Sequence, residues 1–172
     1  LQRPEVGVDD ALVHRHREDQ GHVDVDAPLE ARLARGEPLA GLTSVASFFV
    51  SRVDALAEKR LDALVGEGRV AAADRDALVG RVGIANARAA YAAFERRFGS
   101  DRFRALAAAG ARVQRPLWAS TGTKNPALSP VAYVEALAGP ATVNTMPPAT
   151  LAATLAGAEI RDRLHDAPSD HQ

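Results

Sequence analysis

The chain of 172 residues contains no cysteine, only two lysines, one tryptophan and one methionine. The absence of cysteine excludes disulfides, thiolate metal ligands and a cysteine nucleophile, so reactive chemistry must come from lysine, serine, histidine or carboxylates. The net charge of -1 provides no basic excess, so neither nucleic acid nor an anionic membrane surface is expected as a partner. No apolar run reaches the roughly 20 residues that span a bilayer. The N-terminus has no signal-peptide pattern, so the expected location is cytoplasmic.

Residues 1–28 differ from the rest of the chain because they show no helical period, and we predict an irregular segment. Three of the five histidines, His14, His16 and His22, lie here, but no fourth ligand is evident and no metal site is predicted. The alternation of polar and apolar residues over 22–27 suits at most a short edge strand.

From residue 29 to residue 157, apolar runs alternate with amphipathic stretches. Runs rich in β-branched and aromatic residues predict strands over 43–52, 112–120 and 141–146. The predicted helices are a short one ending at Gly36 and longer ones over 54–65, 72–98, 101–109, 130–138 and 148–155. Strands that alternate with helices imply an α/β fold with parallel strands, either a barrel or an open doubly wound sheet. Residues 158–172 form a polar tail, for which we expect fraying.

Ligands of parallel α/β folds bind at the carboxyl ends of the strands, which directs attention to the polar residues there. The candidates are Ser47, Ser51 and Arg52 on the first strand, Ser120, Thr121, Lys124 and Asn125 on the second, and Asn144 and Thr145 on the third. A phosphate dianion suits this set, since it takes fork-shaped arginine donors, a point-charge lysine and hydroxyl donors.

Two known catalytic or phosphate-binding motifs are incomplete in this sequence. Gly122-Thr123-Lys124 resembles part of a phosphate-binding P-loop, but the earlier glycine and the hydroxyl residue after the lysine are missing. Neither Ser47 nor Ser120 lies in the Gly-x-Ser-x-Gly elbow of a serine hydrolase, and no histidine is expected in the ordered body of the chain.

Three segments together resemble transaldolases of actinobacteria and related high-GC bacteria: Ser44 to Asp54, Arg115 to Pro126 and Thr142 to Pro147. The resemblance implies a partial (β/α)8 TIM barrel, in which the three strands correspond to strands 6–8. Transaldolases transfer a three-carbon dihydroxyacetone unit from sedoheptulose 7-phosphate to glyceraldehyde 3-phosphate in the pentose phosphate pathway. They use a lysine Schiff base and no cofactor.

The resemblance also implies roles for four residues. Ser47 and Arg52 match the family's Ser-x-x-x-x-Arg motif, where the serine contacts the substrate and the arginine holds its phosphate. Ser120 matches a phosphate-contacting serine, and Lys124 aligns near a second phosphate-binding cation. The family's nucleophilic lysine lies in a Val-Lys-Ile-Pro-Ala-like motif on strand 4 that has no counterpart here, so no catalytic residue is assigned.

The resemblance therefore implies a truncated transaldolase that supplies the phosphate-binding side and is inactive on its own. Residues 1–28 would then be read in a shifted frame or come from another source. The alternative is a non-catalytic partial barrel whose two exposed strand edges lead it to self-associate or to bind a partner chain.

Overall fold

The computed structural model describes residues 24–166, which divide into two compact units. One unit contains residues 24–42 and 100–112, and the other contains residues 43–99 and 113–166. His14, His16 and His22 lie outside the described residues, so the absence of a metal site there stays a prediction. Within residues 24–166, no helix is long and apolar enough to cross a membrane.

The first unit is built on two helices, α1 (Asp26–Ala34) and α5 (Asp101–Ala108). Helix α1 begins inside the segment predicted to be irregular. The hydroxyl of Ser100 caps α5 by accepting a hydrogen bond from the Phe103 N–H at 3.2 Å, as serine commonly does at a helix start. The guanidinium of Arg102 bonds the carboxylates of Asp24 and Glu30, which ties the chain before α1 and α1 itself to α5.

The second unit contains a three-stranded parallel sheet, as the alternation of strands and helices predicted. Its strands are β1 (Ser44–Phe49), β2 (Gln114–Ala119) and β3 (Val143–Asn144), in that spatial order. Ser47 lies opposite Leu117, which in turn lies opposite Val143. This order of consecutive neighbouring strands is consistent with part of a barrel wall, because each crossover returns the chain beside the preceding strand.

The helices of the second unit depart from the predicted bounds at two places. They are α2 (Val50–Gly66), α3 (Ala72–Leu78), α4 (Val82–Phe98), α6 (Ala132–Ala136) and α7 (Pro148–Gly157). The prediction that the first strand extends to residue 52 is wrong, because α2 begins at Val50. The single helix predicted over 72–98 is two helices, and Gly80 between them has a φ of 70° that favours glycine.

Trp118 lies at the centre of the second unit and is fully buried. Its ring packs against Phe48 of β1 at a centroid distance of 5.8 Å. Its indole N–H donates a hydrogen bond to the Leu137 carbonyl at 3.0 Å, which satisfies the one polar atom of the side chain. Val50, Ala87, Tyr91, Tyr133, Leu137 and Leu164 complete this core cluster.

The other face of the sheet is open. Side chains alternate between the faces of a strand, so Val45, Ser47 and Phe49 share the face opposite Phe48. Val45 and Phe49 are 42% and 44% exposed, although parallel sheets normally have both faces covered. The described residues therefore cover the sheet on one side only.

Asp54 joins helix α2 to helix α4. It lies inside α2, is 2% exposed, and accepts a hydrogen bond from the Gly83 N–H at 2.6 Å. That N–H belongs to the first turn of α4, where backbone donors have no partner within the helix and a carboxylate is favoured. Asp54 thus caps the neighbouring helix. A Cβ at Gly83 would lie 2.7 Å from the Val50 carbonyl oxygen, so only glycine allows this approach.

The expectation of fraying beyond Gly157 is wrong for residues 158–166. Leu164 is 6% exposed and belongs to the core cluster. The Arg163 N–H donates to the Ala138 carbonyl at 2.9 Å, and Arg88 of α4 donates to the Arg163 carbonyl at 2.9 Å. One apolar side chain and several backbone hydrogen bonds fix this segment against the core. Its polar composition gives no indication of these contacts.

Replacing Gly83 with alanine tests the contact between α2 and α4. We expect Gly83→Ala to lower the free energy of unfolding by about 2 kcal/mol, because the added methyl displaces the Val50 carbonyl and the Asp54 carboxylate. Gly66→Ala is the matched control, since no atom lies within 4 Å of a Cβ at that helical position. Urea unfolding followed by Trp118 fluorescence measures both, and equal midpoints for the two variants would contradict the interpretation.

His165 gives the second unit a pH-dependent contact. Its two ring nitrogens lie 2.8 Å from Glu95 and 2.8 Å from Asp162, and hydrogen bonding to Glu95 and then Asp162 raises the pKa of the imidazole. A raised folded-state pKa means that the stabilisation is fully present below about pH 6.5 and is lost as pH rises through the folded pKa.

We therefore expect the wild-type protein to have a higher urea midpoint than His165→Gln at pH 5.5. The difference between the two midpoints should become smaller by pH 9. Glutamine retains hydrogen-bonding capacity but carries no charge at either pH. A gap that stays constant across this range would show that the imidazolium charge does not contribute.

Candidate functional site

The first turn of α2, directly after β1, carries two of the polar residues singled out from the sequence. Ser51 and Arg52 were placed on the first strand, but both lie in the first turn of α2. The Ser51 side chain is 1% exposed, whereas Arg52 is exposed. The guanidinium carbon of Arg52 lies 4.3 Å from the centroid of the Phe49 ring, a cation–π distance that leaves the donors facing solvent.

Ser120 lies directly after β2, with a φ of 54°. Positive φ is uncommon for a residue with a side chain and is found at turns and functional sites. The Ser120 carbonyl accepts a hydrogen bond from the Ser51 N–H at 3.1 Å. This bond fixes the turn that carries Arg52 against the end of the strand that carries Ser120.

Thr121 and Asn144 brace the ends of β2 and β3. Thr121 is fully buried, and its hydroxyl donates to the Asn144 side-chain oxygen at 2.8 Å. A Cβ at Gly122 would lie 3.1 Å from Pro147 and from Thr150, so this glycine permits close packing. Thr121 and Asn144 were considered as ligands from the sequence, but their described contacts are structural.

Ser47 and Lys124 occupy different surroundings. Ser47 is exposed on the open face of β1. Lys124 is also exposed, in the loop between β2 and α6, and it lines a cavity of 260 Å³. The other residues that line this cavity are Ser51, Asp54, Ala55, Glu58, Asn125, Pro126 and Tyr133.

The cavity has an acidic character that the sequence did not reveal. Asp54 and Glu58 are one turn apart on α2, so their carboxylates lie on the same helix face. Tyr133 from α6 is buried, and burial followed by its contact with Asp54 raises the pKa of its phenol, which keeps it a neutral hydrogen-bond donor. The spacing of four residues could have predicted that Asp54 and Glu58 lie on one helix face. Nothing in the sequence around Tyr133 indicates that its side chain lies beside them.

The four residues assigned from the resemblance are thus distributed over one end of the sheet. Backbone hydrogen bonding brings the segments of Arg52 and Ser120 together. Ser47 lies deeper on the open face, opposite Leu117, and Lys124 borders the acidic cavity. The arrangement offers an exposed guanidinium, two serine hydroxyls and a lysine near the carboxyl ends of parallel strands.

Comparison with known proteins agrees with the resemblance. The model of the transaldolase/fructose-6-phosphate aldolase family matches residues 23–171. A transaldolase of Saccharopolyspora erythraea is 53% identical over 135 residues, covering 78% of this chain and 35% of the relative. Transaldolase 1 of Streptomyces coelicolor is 53% identical over 135 residues, and a transaldolase of Trichodesmium erythraeum is 46% identical over 142 residues.

These two relatives are covered over 34% and 36% of their length, with 78% and 79% of this chain matched. The chain therefore spans about a third of the curated relatives that it matches. The family match also includes residues 158–166, the segment that packs into the core of the second unit. The chain belongs to the transaldolase/fructose-6-phosphate aldolase family.

Proposed function

We propose that this chain carries the phosphate-binding side of a transaldolase (β/α)8 barrel, corresponding to strands 6–8. Four side chains form the proposed binding set: Ser47, Arg52, Ser120 and Lys124. The single observation that carries the proposal is the hydrogen bond from Ser51 to Ser120, because it joins the turn bearing Arg52 to the strand end bearing a serine.

The chemistry of the set suits a sugar phosphate. A phosphate dianion accepts fork-shaped donors from an arginine, charge from a lysine, and neutral hydrogen bonds from serine hydroxyls. Arg52 is exposed and its guanidinium already lies over the Phe49 ring, so a bound phosphate would cost little further side-chain entropy. The proposed substrates are sedoheptulose 7-phosphate and glyceraldehyde 3-phosphate.

Phosphate binding would assist the reaction from a distance. In the proposed transaldolase, a lysine on another strand attacks the donor ketone, and the dihydroxyacetone unit passes to the acceptor aldehyde. Holding the non-reacting phosphate orients the ketone carbon against that amine, which is how remote contacts lower a reaction barrier. No cofactor enters this scheme.

Removing the Arg52 guanidinium tests the proposed phosphate clamp. In a full-length transaldolase that contains this segment, we expect Arg52→Ala to raise KM for fructose 6-phosphate about 10- to 100-fold, the loss typical of one charge-assisted hydrogen bond. The matched control is Arg60→Ala, which removes an exposed arginine from the same helix outside the proposed set. An unchanged KM in the Arg52 variant would remove that residue from the clamp.

A second candidate function is self-association without catalysis, and the open face of the sheet favours it. Val45 and Phe49 expose apolar surface there, and β1 and β3 are the edge strands of the described sheet. Unpaired strand edges bind other strands, including those of a second copy.

Borohydride trapping with fructose 6-phosphate tests whether the nucleophilic lysine lies on this chain. Lys59 and Lys124 are both exposed, whereas a Schiff-base lysine is typically desolvated in an apolar pocket. We therefore expect no covalent label on this 172-residue chain, while a full-length transaldolase control is labelled. Labelling of either lysine would contradict the proposal that the nucleophile lies elsewhere. Sedimentation velocity on the same sample measures self-association.

A further inference from the structure

The acidic cavity between α2 and the loop after β2 shares Lys124 with the proposed phosphate set but differs from that set in its net charge. Asp54 and Glu58 contribute two carboxylates, and Lys124 contributes one ammonium group. The charged lining therefore sums to one negative charge. Within the described part of the chain, Lys124 forms no ion pair with either carboxylate, so the negative charge is left without a direct partner.

One buried oxygen at this cavity also lacks a partner. The Ser51 hydroxyl has no hydrogen-bond partner among residues 24–166, although Ser51 is only 1% exposed. A buried polar atom without a partner destabilises the folded state, because its desolvation is not compensated by a hydrogen bond. Such an atom beside a cavity is available as a ligand for an ion or a water molecule.

The groups around the cavity are mainly oxygen ligands. The Asp54 carboxylate, the Glu58 carboxylate and the Ser51 hydroxyl come from α2. The Tyr133 hydroxyl faces them from α6, and the Asn125 amide nitrogen already donates to Glu58 at 3.4 Å. Oxygen atoms with a net negative charge are the ligands that hard cations prefer.

We propose that this cavity binds a monovalent metal cation, K⁺ or Na⁺, between Asp54, Glu58 and the two hydroxyls. One positive charge matches the net charge of the lining. A divalent ion would require more carboxylates and would meet stronger repulsion from Lys124. The cavity volume of 260 Å³ leaves room for the ion and for waters that complete its coordination.

The bound cation would stabilise the turn that carries Arg52. Ser51 supplies one proposed ligand through its hydroxyl, and its N–H holds the Ser120 carbonyl. Asp54, a second ligand, holds the first turn of α4 through Gly83. The ion would therefore fix α2 against both elements, independently of whether the neighbouring side chains bind phosphate.

Thermal unfolding in different salts tests the cation site. The full chain is unfolded in 100 mM KCl, in 100 mM NaCl and in 100 mM choline chloride, which matches ionic strength with a cation too large for the cavity. For a dissociation constant of about 10 mM, we expect the metal salt that binds to raise Tm by about 3 °C over choline. Trp118 fluorescence reports the transition.

Four variants test whether the gain in Tm comes from an ion in this cavity. Ser51→Ala and Glu58→Gln should each reduce the Tm gain by about half or more, whereas Glu67→Gln, an exposed glutamate at the end of α2, should keep it. Lys124→Met should increase the gain, because it removes a competing positive charge.

Three outcomes would overturn the proposal. One is an equal Tm in choline and both metal salts, and another is an undiminished gain in both the Ser51 and Glu58 variants. The third is loss of the gain in Lys124→Met, because removal of a competing positive charge cannot weaken a cation site in this cavity.

Discussion

Burial of the Trp118 indole is the constraint on which the second unit depends. The ring packs on Phe48 of β1, the indole N–H is bonded to Leu137 beyond α6, and the backbone carbonyl accepts the Thr145 N–H after β3. One residue therefore fixes both neighbouring strands and a helix end. Ser120 follows two positions later, so the placement of the site at the strand ends is set by packing in the layer below it.

Helix α2 carries side chains of opposite charge close together. On one side the exposed Arg52 guanidinium, with the serine hydroxyls of the proposed set, offers donors suited to anions. On the other, Asp54 and Glu58 make a cavity suited to cations. Ser51 belongs to both, through its backbone and its side chain respectively. Opposite charge preferences a few residues apart are possible because a helix separates its faces by side-chain direction.

Patterning in the sequence predicted the three strands, because β-branched and aromatic runs there are bounded by glycine and proline. It misplaced the end of β1, since the apolar run continues through Val50, and periodicity does not distinguish a buried strand from a buried helix start. The role of Asp54 was missed because its partner Gly83 lies 29 residues away. The packing of residues 158–166 was not predicted for the same reason, because Leu164 is one apolar residue whose contacts are distant in sequence.

The left-handed backbone at Ser120 bears on why a serine stands there. A glycine would remove a backbone cost of about 1 kcal/mol, but it would also widen the unfolded ensemble by a comparable free energy. Serine and glycine at this position would therefore give nearly the same free energy of unfolding. Ala141 has a similar φ of 56° with only a methyl group, so the fold tolerates this conformation without any chemical benefit. What distinguishes Ser120 is its hydroxyl, and stability alone would not have selected it.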